Sequence, residues 1–319
     1  MKKILITGIS GFVGGYFVDY VKKTHCNLEI CGISRNLPDW DFVDAGAFSI
    51  THYKADLNDL NLIKKIIEET EPDYILHLAA QSSVAESWKS PVDSFLNNTN
   101  IFLNIIDTVR RIDKGTRVLS VGSSEQYGIV TNSDLPLKET KQQNPQNPYA
   151  VARVSQELLA GIYAEGYGLD ICCTRSFNHC GAGQKDKFVI SSIVKQFAMI
   201  SKGLQEPVLH IGNGSIIRDF LDARDVCVAY GLLLKSGRRG EVYNICSGTG
   251  RSILEIIEIL SEMYDVPVKV RQESSQIRPI DNPMIVGDYS KLNSETGWEP
   301  KISFEKSLSS IYEYWMKHI

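Results

Sequence analysis

The chain has 319 residues, of which 43 % are hydrophobic and 23 % are charged, and its formal net charge is −4. The acidic balance argues against nucleic-acid binding, and no apolar run approaches the roughly 18 residues that a membrane span needs. The seven cysteines show no Cys-x-x-Cys spacing, which predicts reduced thiols, a cytoplasmic location and no metal site.

Short apolar runs alternate with helical patterns through the first half of the chain. Strands are predicted at residues 3–7, 28–33, 74–78, 117–121 and 171–175, and helices at 13–23, 60–69, 92–110 and 150–167. Strands that are apolar throughout are typical of a parallel sheet buried on both faces. The alternation therefore predicts an α/β fold with a doubly wound parallel (Rossmann) sheet.

The pattern changes after about residue 175. Residues 178–187 are polar and contain glycines, which predicts a loop, and an Asn-Gly turn predicts a hairpin between 208–211 and 216–221. Further elements are predicted as helices at 188–201, 224–234 and 253–263 and a strand at 268–270. We expect a dinucleotide-binding domain of residues 1–174 plus about 219–250, and a smaller α/β substrate-binding lobe of residues 175–218 plus about 251–319.

The first predicted strand leads directly into a glycine-rich turn. Residues 7–14 carry glycines with Gly-x-x-Gly-x-x-Gly spacing, followed by a predicted helix. Glycine lets the backbone turn sharply beside a pyrophosphate, and the helix N-terminus offers it unpaired N–H groups. The cofactor-binding residues predicted here are Gly8, Gly11, Phe12, Val13 and Gly14.

The end of the second strand indicates which dinucleotide binds. An acidic residue there favours NAD, whereas a basic residue accommodates the 2′-phosphate of NADP. This chain has Ser34 and Arg35 and no carboxylate, which favours NADP and leaves NAD possible. Asp56 and Leu57 follow a third strand-like segment. We expect them near the adenine, although Asp56 also suits a helix N-cap.

A second cluster of functional residues follows the predicted strand at 117–121. Ser123 comes directly after that strand, at the sheet edge where open α/β folds bind ligands. Tyr149 and Arg153 lie four residues apart, so they share one face of a predicted helix. A phenol exchanges its proton near neutral pH only when a neighbouring cation stabilises its anion. The three side chains therefore predict acid–base chemistry.

With these residues the chain resembles the extended short-chain dehydrogenase/reductase family that modifies nucleotide sugars. The matching segments are residues 7–14, 77–80, 98, 123–128, 149–153, 175–178, 218–225 and 243–245. Within the family, residues 81–88, 122–125 and 177–184 are most similar to reductases of GDP-linked 4-keto-6-deoxymannose. GDP-mannose 4,6-dehydratases are the next most similar group.

The resemblance implies a role for each matching residue. Tyr149 would exchange a proton with the sugar oxygen, Ser123 would hydrogen-bond that oxygen, and Arg153 would bind the nicotinamide ribose. Leu78, Ala79, Ala80 and Asn98 would also contact the cofactor. The substrate, a GDP-linked sugar, would be bound by Ser83, Ser124, Glu125, Asn178, Arg218 and Arg278.

Two positions leave the activity open. The family usually has lysine where this chain has Arg153, which keeps the charge but cannot release a proton. Glu125 matches the glutamate that removes the C5 proton in 4,6-dehydratases. The run Ser123-Ser124-Glu125 nevertheless resembles the reductase version more closely, so reduction at C4 is the main interpretation. The alternatives are a dehydratase that uses Glu125, C4 oxidation or reduction of another GDP-sugar such as a heptose, and a non-catalytic nucleotide-sugar sensor.

The resemblance also implies a homodimer formed through a four-helix bundle. The two helices that pair in family dimers match residues 92–110 and 150–167. Apolar side chains in the first helix exceed what one core-facing stripe needs, and the alternative is that all of them face the core. These are Phe95, Ile101, Phe102, Ile105 and Ile106.

Overall fold

Strands and helices alternate along most of the chain. The computed structural model describes residues 1–25, 27–43, 49–112, 114–273 and 282–319. The strands are β1 Lys2–Thr7, β2 Leu28–Ser34, β3 Ile50–Lys54, β4 Tyr74–His77, β5 Arg117–Ser123, β6 Ile171–Ser176, β7 Asn178–Cys180, β8 Val208–Ile211, β9 Ile217–Asp222, β10 Val242–Ile245, β11 Gly250–Ser252, β12 Lys269–Gln272 and β13 Met284–Ile285. The α-helices are α1 Phe12–Lys23, α2 Leu60–Thr70, α3 Val84–Lys89, α4 Pro91–Phe95, α5 Ile101–Ile112, α6 Pro148–Gly166, α7 Val189–Ser201, α8 Ala223–Ser236, α9 Ile253–Tyr264, α10 Ser290–Thr296 and α11 Phe304–His318.

Seven of the strands form the central sheet. Their order across the sheet is β10-β6-β5-β4-β1-β2-β3, and every neighbouring pair is parallel. The prediction of a doubly wound parallel sheet is confirmed. The chain winds outward in opposite directions from β1 and β4, so the crevice for a ligand lies at their carboxyl ends.

Hydrophobic side chains are buried on both faces of this sheet. In β1, Ile4 and Ile6 pack toward α1 and α8, whereas Leu5 between them packs toward α2 and α5, and all three are fully buried. Neighbouring residues of a strand point to opposite faces. A strand covered on both sides must therefore be apolar at each position, which is why its sequence shows no alternation.

The long helix predicted at residues 92–110 is interrupted. A π-helical turn, Leu96–Asn100, separates α4 from α5. Within this turn the Asn98 amide nitrogen donates to the carbonyl oxygens of Ser94, at 2.6 Å, and Gln81, at 3.3 Å. Such side-chain bonds to the backbone compete with regular helix geometry, and π-turns are frequent at functional sites.

Most of the apolar side chains that the sequence analysis assigned to a dimer interface lie in the protein's own core. Ile101, Phe102, Ile105 and Ile106 are at most 5 % exposed and pack beside α2 and the central sheet. The prediction that these four side chains are in excess of the core is therefore wrong. Phe95, on α4, is 41 % exposed.

Two sequence predictions about the smaller lobe are wrong. Strand β8 pairs in parallel with β12, while β9 pairs with β7, β11 and β13, so the predicted hairpin does not form. The turn near Asn213 is present, and its side chain accepts a hydrogen bond from the backbone N–H of Ser215. The flanking strands nevertheless join partners that are remote in sequence. Residues 178–180, predicted as loop, form strand β7.

Helices α7, α9 and α11 close the hydrophobic core of this lobe. Val194, Phe197, Leu209, Ile256 and Leu308 are buried there. After β9 the chain returns to the central sheet, where α8 packs on one face and β10 pairs with β6.

The division of the sequence into two domains stays a prediction. Among the described residues, no helix is long and apolar enough to cross a membrane.

His77 is a fully buried titratable group at the carboxyl end of β4. Its Nδ1 atom lies 2.9 Å from the Thr7 hydroxyl, and its ring packs against Phe102. Burial, helped by the positive charge of Arg153, lowers the His77 pKa from 6.5 to about 3. The folded protein therefore keeps this imidazole neutral at any pH near neutrality.

This buried imidazole should make stability depend on pH. In the unfolded chain His77 takes up a proton near pH 6.5, whereas the folded protein does so only near 3. The free energy of unfolding should therefore fall as the pH decreases through this window, by up to about 1.4 kcal/mol per pH unit from this residue. Urea unfolding between pH 7 and pH 5 measures the slope. His77→Asn should make it shallower, and equal slopes would contradict the assignment.

Candidate active site

The glycine turn brings two distant segments of the chain together. Gly8 has a φ of +69°, and its N–H donates to the carbonyl oxygen of Ile33 at 2.7 Å. A Cβ atom at Gly8 would lie 2.8 Å from the Ala79 Cα, and one at Gly14 would lie 2.0 Å from the Ile9 carbonyl oxygen. Both glycines are therefore required, because the obstructing atoms belong to the backbone.

The same turn presents the N-terminus of α1 at the sheet edge. Gly11 is the N-cap residue, no side chain caps the helix, and Phe12 and Val13 are its first two residues. The Phe12 ring lies 5.8 Å from the ring of Phe42 and 6.3 Å from that of His179. A helix N-terminus without a side-chain cap leaves backbone N–H groups that an anion such as a pyrophosphate can accept from.

The end of β2 leaves one cation at the surface. The Arg35 side chain is exposed. Beside it, the Ser34 hydroxyl donates to the Asn36 carbonyl oxygen and also lies 2.8 Å from His52 Nε2. Because that hydroxyl has a single proton, the His52 ring donates the second bond. The turn that carries Arg35 is thereby attached to β3.

The structure tests whether Asp56 is a helix N-cap, which was the alternative to a position near the adenine. The N-cap of α2 is Asp59, whose carboxylate accepts from the Leu62 N–H at 3.0 Å. Asp56 instead accepts from the backbone N–H of Asn58 at 2.9 Å, and Leu57 beside it is buried. Asp56 is thus in the turn after β3 rather than at the helix cap.

The predicted cofactor residues after β4 lie beside the glycine turn. Leu78 donates its N–H to the carbonyl oxygen of Thr7 at 3.2 Å, and Ala79 donates to the Thr7 hydroxyl at 3.3 Å. Ala80 follows at the same edge and is partly buried. The side-chain oxygen of Asn98 is buried and has no hydrogen-bond partner within the described ranges.

Ser123 is the last residue of β5 and begins a short 3-10 helix, Ser124–Tyr127. Its N–H donates to the Gln126 side chain at 2.8 Å, and its hydroxyl oxygen accepts from the Glu125 N–H at 3.2 Å. A Cβ at Gly122 would lie 2.3 Å from the Thr174 carbonyl oxygen. The close packing of β5 on β6 therefore determines where the loop leaves the sheet.

Asn147 connects this loop to the start of α6. Its side-chain oxygen accepts from the Ala150 N–H at 2.8 Å, and its side-chain nitrogen donates to Glu125 Oε2 at 2.9 Å. One residue thus caps the helix that carries Tyr149 and also fixes Glu125. The sequence analysis missed Asn147, although its N-cap character is visible in Asn-Pro followed by a helical pattern.

Tyr149 and Arg153 share the inner face of α6. The guanidinium carbon lies 5.2 Å from the centre of the tyrosine ring, and both residues are at most 6 % exposed. Arg153 Nη1 donates to the Val121 carbonyl oxygen at 2.9 Å and to Gln156 Oε1 at 2.7 Å. Its Nε atom is buried with no partner within the described ranges.

A buried ion pair supports the loop from behind. Glu157 accepts from Arg175 Nη2 at 2.7 Å and from Arg175 Nε at 3.0 Å. The same carboxylate accepts from the side chains of Gln126 and Gln143. Gln126 in turn accepts from the Ser123 N–H, so the position of Ser123 depends on this pair. The sequence analysis predicted none of these four supporting side chains as a site residue.

Three predicted substrate residues belong to different elements. Ser83 caps α3, where its hydroxyl oxygen accepts from the Glu86 N–H at 3.2 Å. Ser124 is buried in the loop after β5, and Asn178 begins β7. Among the described residues, no hydrogen bond links these three side chains, so their common role in binding substrate stays a prediction.

Arg218 is buried on β9 at the base of the lobe. Its Nη1 atom donates to the carbonyl oxygens of Ile217, at 3.0 Å, and Asn282, at 2.6 Å. Asn282 also donates its side-chain nitrogen to the Gly128 carbonyl oxygen. Arg218 is thus connected through one residue to Gly128, in the loop after β5. Arg278, also predicted to bind substrate, lies outside the described residues.

Comparison with known proteins places this site in a family. The GDP-mannose 4,6 dehydratase family matches residues 5–311. The chain belongs to this family. The chain is 31 % identical to the GDP-6-deoxy-D-mannose reductase of Pseudomonas aeruginosa, over 100 % of this chain and 98 % of that protein. It is 28 % identical to a GDP-mannose 4,6-dehydratase of Yersinia enterocolitica, with 98 % and 93 % covered.

Solved structures of family relatives share the fold. The structure of RMD from P. aeruginosa complexed with NADPH superposes with a TM-score of 0.88 at 31 % identity and covers 100 % of both chains. A UDP-glucose 4-epimerase of Thermotoga maritima gives 0.87 at 25 % identity and covers 99 % of both. The resemblance to extended short-chain dehydrogenases/reductases is confirmed.

Within the described ranges, no group of three or more His, Cys, Asp or Glu residues could hold a metal ion.

Proposed function

We propose that the protein is an NADPH-dependent reductase that acts at C4 of a GDP-linked 4-keto-6-deoxymannose. The observation that carries this proposal is the position of Tyr149, Arg153 and Ser123 at one edge of the sheet, with Tyr149 buried against the Arg153 guanidinium. Full-length similarity to a GDP-6-deoxy-D-mannose reductase supports the substrate. We place the reaction in the cytoplasm.

The residues present fit a dinucleotide. The glycine turn leaves backbone N–H groups at the N-terminus of α1 where a pyrophosphate binds. Arg153 Nε and Asn98 Oδ1 are buried and find no hydrogen-bond partner in the described part of the chain; they are a donor and an acceptor that a bound cofactor would satisfy. Arg35 would meet a 2′-phosphate, which favours NADP, and NAD stays the alternative. When bound, the cofactor supplies a hydride to the sugar.

The chain's own residues handle the proton and the charge. During reduction, negative charge develops on the C4 oxygen of the sugar. Tyr149 would donate its phenolic proton to that oxygen, and the Ser123 hydroxyl would hydrogen-bond it. The guanidinium of Arg153 would stabilise the resulting phenolate. Because arginine keeps its proton, Tyr149 must recover its own from water by a route that does not include Arg153.

Substrate binding would be divided between the lobe and the loops. Asn178 and Arg218 would bind the diphosphate, since a guanidinium suits phosphate oxygens. Arg278 would provide a second cation for the same group. Ser83 and Ser124 would contact the sugar, as their equivalents in the family imply.

A GDP-mannose 4,6-dehydratase is the second candidate. Glu125, the residue that would remove the C5 proton, is held toward the active-site helix by the 2.9 Å hydrogen bond from Asn147. The chain is also similar to dehydratases over nearly its whole length. This similarity is lower than that to the reductase, 28 % against 31 % identity, which is why reduction is preferred.

We also propose a homodimer formed through a four-helix bundle of α4–α5 and α6. An apolar groove lies between these helices, lined by Pro91, Val92, Phe95, Leu96, Pro148 and Val151. Leu158 and Ile162 continue the surface along α6 and are 59 % and 60 % exposed. An apolar patch of this extent on a monomer commonly marks a protein interface.

Replacing the proposed proton donor tests the chemistry. Tyr149→Phe should lower the turnover number on GDP-4-keto-6-deoxymannose by about 10²–10⁴-fold, which is the usual contribution of general acid catalysis. The affinity for NADPH should change little, because the ring remains. Steady-state kinetics together with NADPH titration measure both quantities. Full activity of this variant on every sugar nucleotide would contradict the mechanism.

Glu125→Gln separates the two candidate functions. The glutamine retains an oxygen that can accept the bond from Asn147, so the loop should keep its conformation, while the base is removed. A reductase should keep most of its turnover on GDP-4-keto-6-deoxymannose. A dehydratase should lose nearly all turnover on GDP-mannose and still exchange hydride at C4. The second result would replace reduction by dehydration as the main activity.

Arg35→Ala tests the choice of cofactor. Removal of the exposed guanidinium should weaken NADPH binding by about 1–2 kcal/mol, the scale of one charge-assisted hydrogen bond, and should leave NADH binding nearly unchanged. Dissociation constants from fluorescence titration give both values. Equal affinities for NADPH and NADH in the unmodified protein would contradict the preference.

Light scattering at micromolar concentration tests the dimer. The unmodified protein should have twice the mass of one chain, and Leu158→Asp should shift it toward the monomer, because a charge would be buried at the interface. Leu204→Asp is the matched control, since Leu204 is 61 % exposed and lies on the lobe, away from the proposed interface. A monomeric mass for the unmodified protein would exclude this assembly.

A further inference from the structure

The Arg153 guanidinium is hydrogen-bonded both to strand β5 and to another side chain of its own helix, α6. Its Nη1 atom carries two hydrogens, and both are used, one on the Val121 carbonyl oxygen at 2.9 Å and one on Gln156 Oε1 at 2.7 Å. Arg153 is 4 % exposed and Gln156 is 1 % exposed. The guanidinium is therefore fixed at one corner by a buried side chain three residues further along α6.

The orientation of the Gln156 amide follows from its neighbours. A guanidinium only donates, so the atom that faces Arg153 must be the amide oxygen. The amide nitrogen then donates to the Ser120 hydroxyl at 2.7 Å and lies 3.4 Å from the Val121 carbonyl oxygen. Gln156 thus links α6 to β5 and presents an acceptor to Arg153.

The Nε nitrogen of the guanidinium has no protein partner among the residues that the structure describes. The Nε atom is buried and makes no hydrogen bond to the described residues, an arrangement that costs about 1–3 kcal/mol unless a ligand satisfies it. Nε and Nη2 offer two parallel N–H donors, which suit two adjacent oxygen atoms. The two hydroxyls of a nucleotide ribose are such a pair.

We propose that Gln156 is a positioning residue that sets the rotation of the Arg153 guanidinium, so that its Nε side binds the ribose next to the nicotinamide. This inference rests on the proposed function. A lysine ammonium can rotate its three donors freely, whereas a planar guanidinium binds two oxygens only at one angle. An arginine at this position therefore needs a second fixed contact, and Gln156 supplies it.

Coupling between the two residues distinguishes positioning from simple core packing. Gln156→Met has nearly the same length and removes the acceptor. In the protein with Arg153 it should weaken NADPH binding about tenfold, the effect of one hydrogen bond to a charged group. In the Arg153→Lys background the same change should alter the dissociation constant less than twofold. Calorimetric titration of the four proteins without sugar substrate gives the complete cycle.

The stability control uses a buried hydrogen bond far from the site. Thr70→Val removes the 2.7 Å bond from the Thr70 hydroxyl to the Ile66 carbonyl oxygen on α2. It should lower the denaturation midpoint and leave NADPH binding unchanged. If Gln156→Met does not fold, Ser120→Ala is the milder variant. It removes the hydroxyl that orients the amide, and should weaken NADPH binding about threefold, again only when residue 153 is arginine.

The outcomes separate this inference from the proposed function. Equal losses of NADPH affinity in the arginine and lysine backgrounds would show that Gln156 only stabilises the fold, and would overturn the inference while the reductase proposal stands. No loss in either background would overturn it as well. Failure of the unmodified protein to bind NADPH or NADH would overturn the proposed function together with the inference.

Discussion

The carboxyl ends of β1 and β4 approach so closely that no side chain fits between Gly8 and Ala79. A Cβ at Gly8 would lie 2.8 Å from the Ala79 Cα, and Gly8 also has the positive φ that glycine tolerates best. This contact brings the turn before α1 against the segment after β4. The ligand crevice, the exposed N-terminus of α1 and the neighbouring end of β5 all follow from it.

Around that crevice the reactive side chains are held by buried polar contacts. Ser123 depends on Gln126, which depends on the Glu157–Arg175 ion pair, and Glu125 is fixed by Asn147. A buried network of this kind is rigid when each member has partners, and breaking a buried pair is costly because a charge remains unpaired. These contacts therefore fix the position of the loop after β5 relative to α6.

Arg153 provides a positive charge within the site but cannot transfer a proton. It supplies a permanent positive charge next to Tyr149 and also contributes to the low pKa of His77, which lies deeper in the sheet. A buried cation that cannot release its proton stabilises a phenolate but cannot relay protons. Under the proposed mechanism, the proton that Tyr149 gives up therefore returns by a route that does not include Arg153.

Much of the central fold was predictable because its signals are local. The glycine spacing of residues 7–14, the apolar strands and the helical periods predicted the parallel sheet, with Ser123 at the carboxyl end of β5 and Tyr149 and Arg153 on α6. The π-turn at Leu96–Asn100 was not predictable from periodicity, because the side chain of Asn98 bonds to a carbonyl 17 residues away.

The amino-acid sequence by itself determined the strands and helices of the central sheet, the glycine turn and the candidate reactive residues, since each has a signal in a short segment of the chain. Only the tertiary structure decided the pairing of β8 and β9, because their partners are remote in the chain. It also decided that Ile101 and Ile105 are core residues whereas Leu158 is exposed. Helical periodicity identifies an apolar face but not what covers it. Likewise, the role of Gln156 becomes visible only where β5 and α6 meet, because its partners Ser120 and Arg153 lie on different elements.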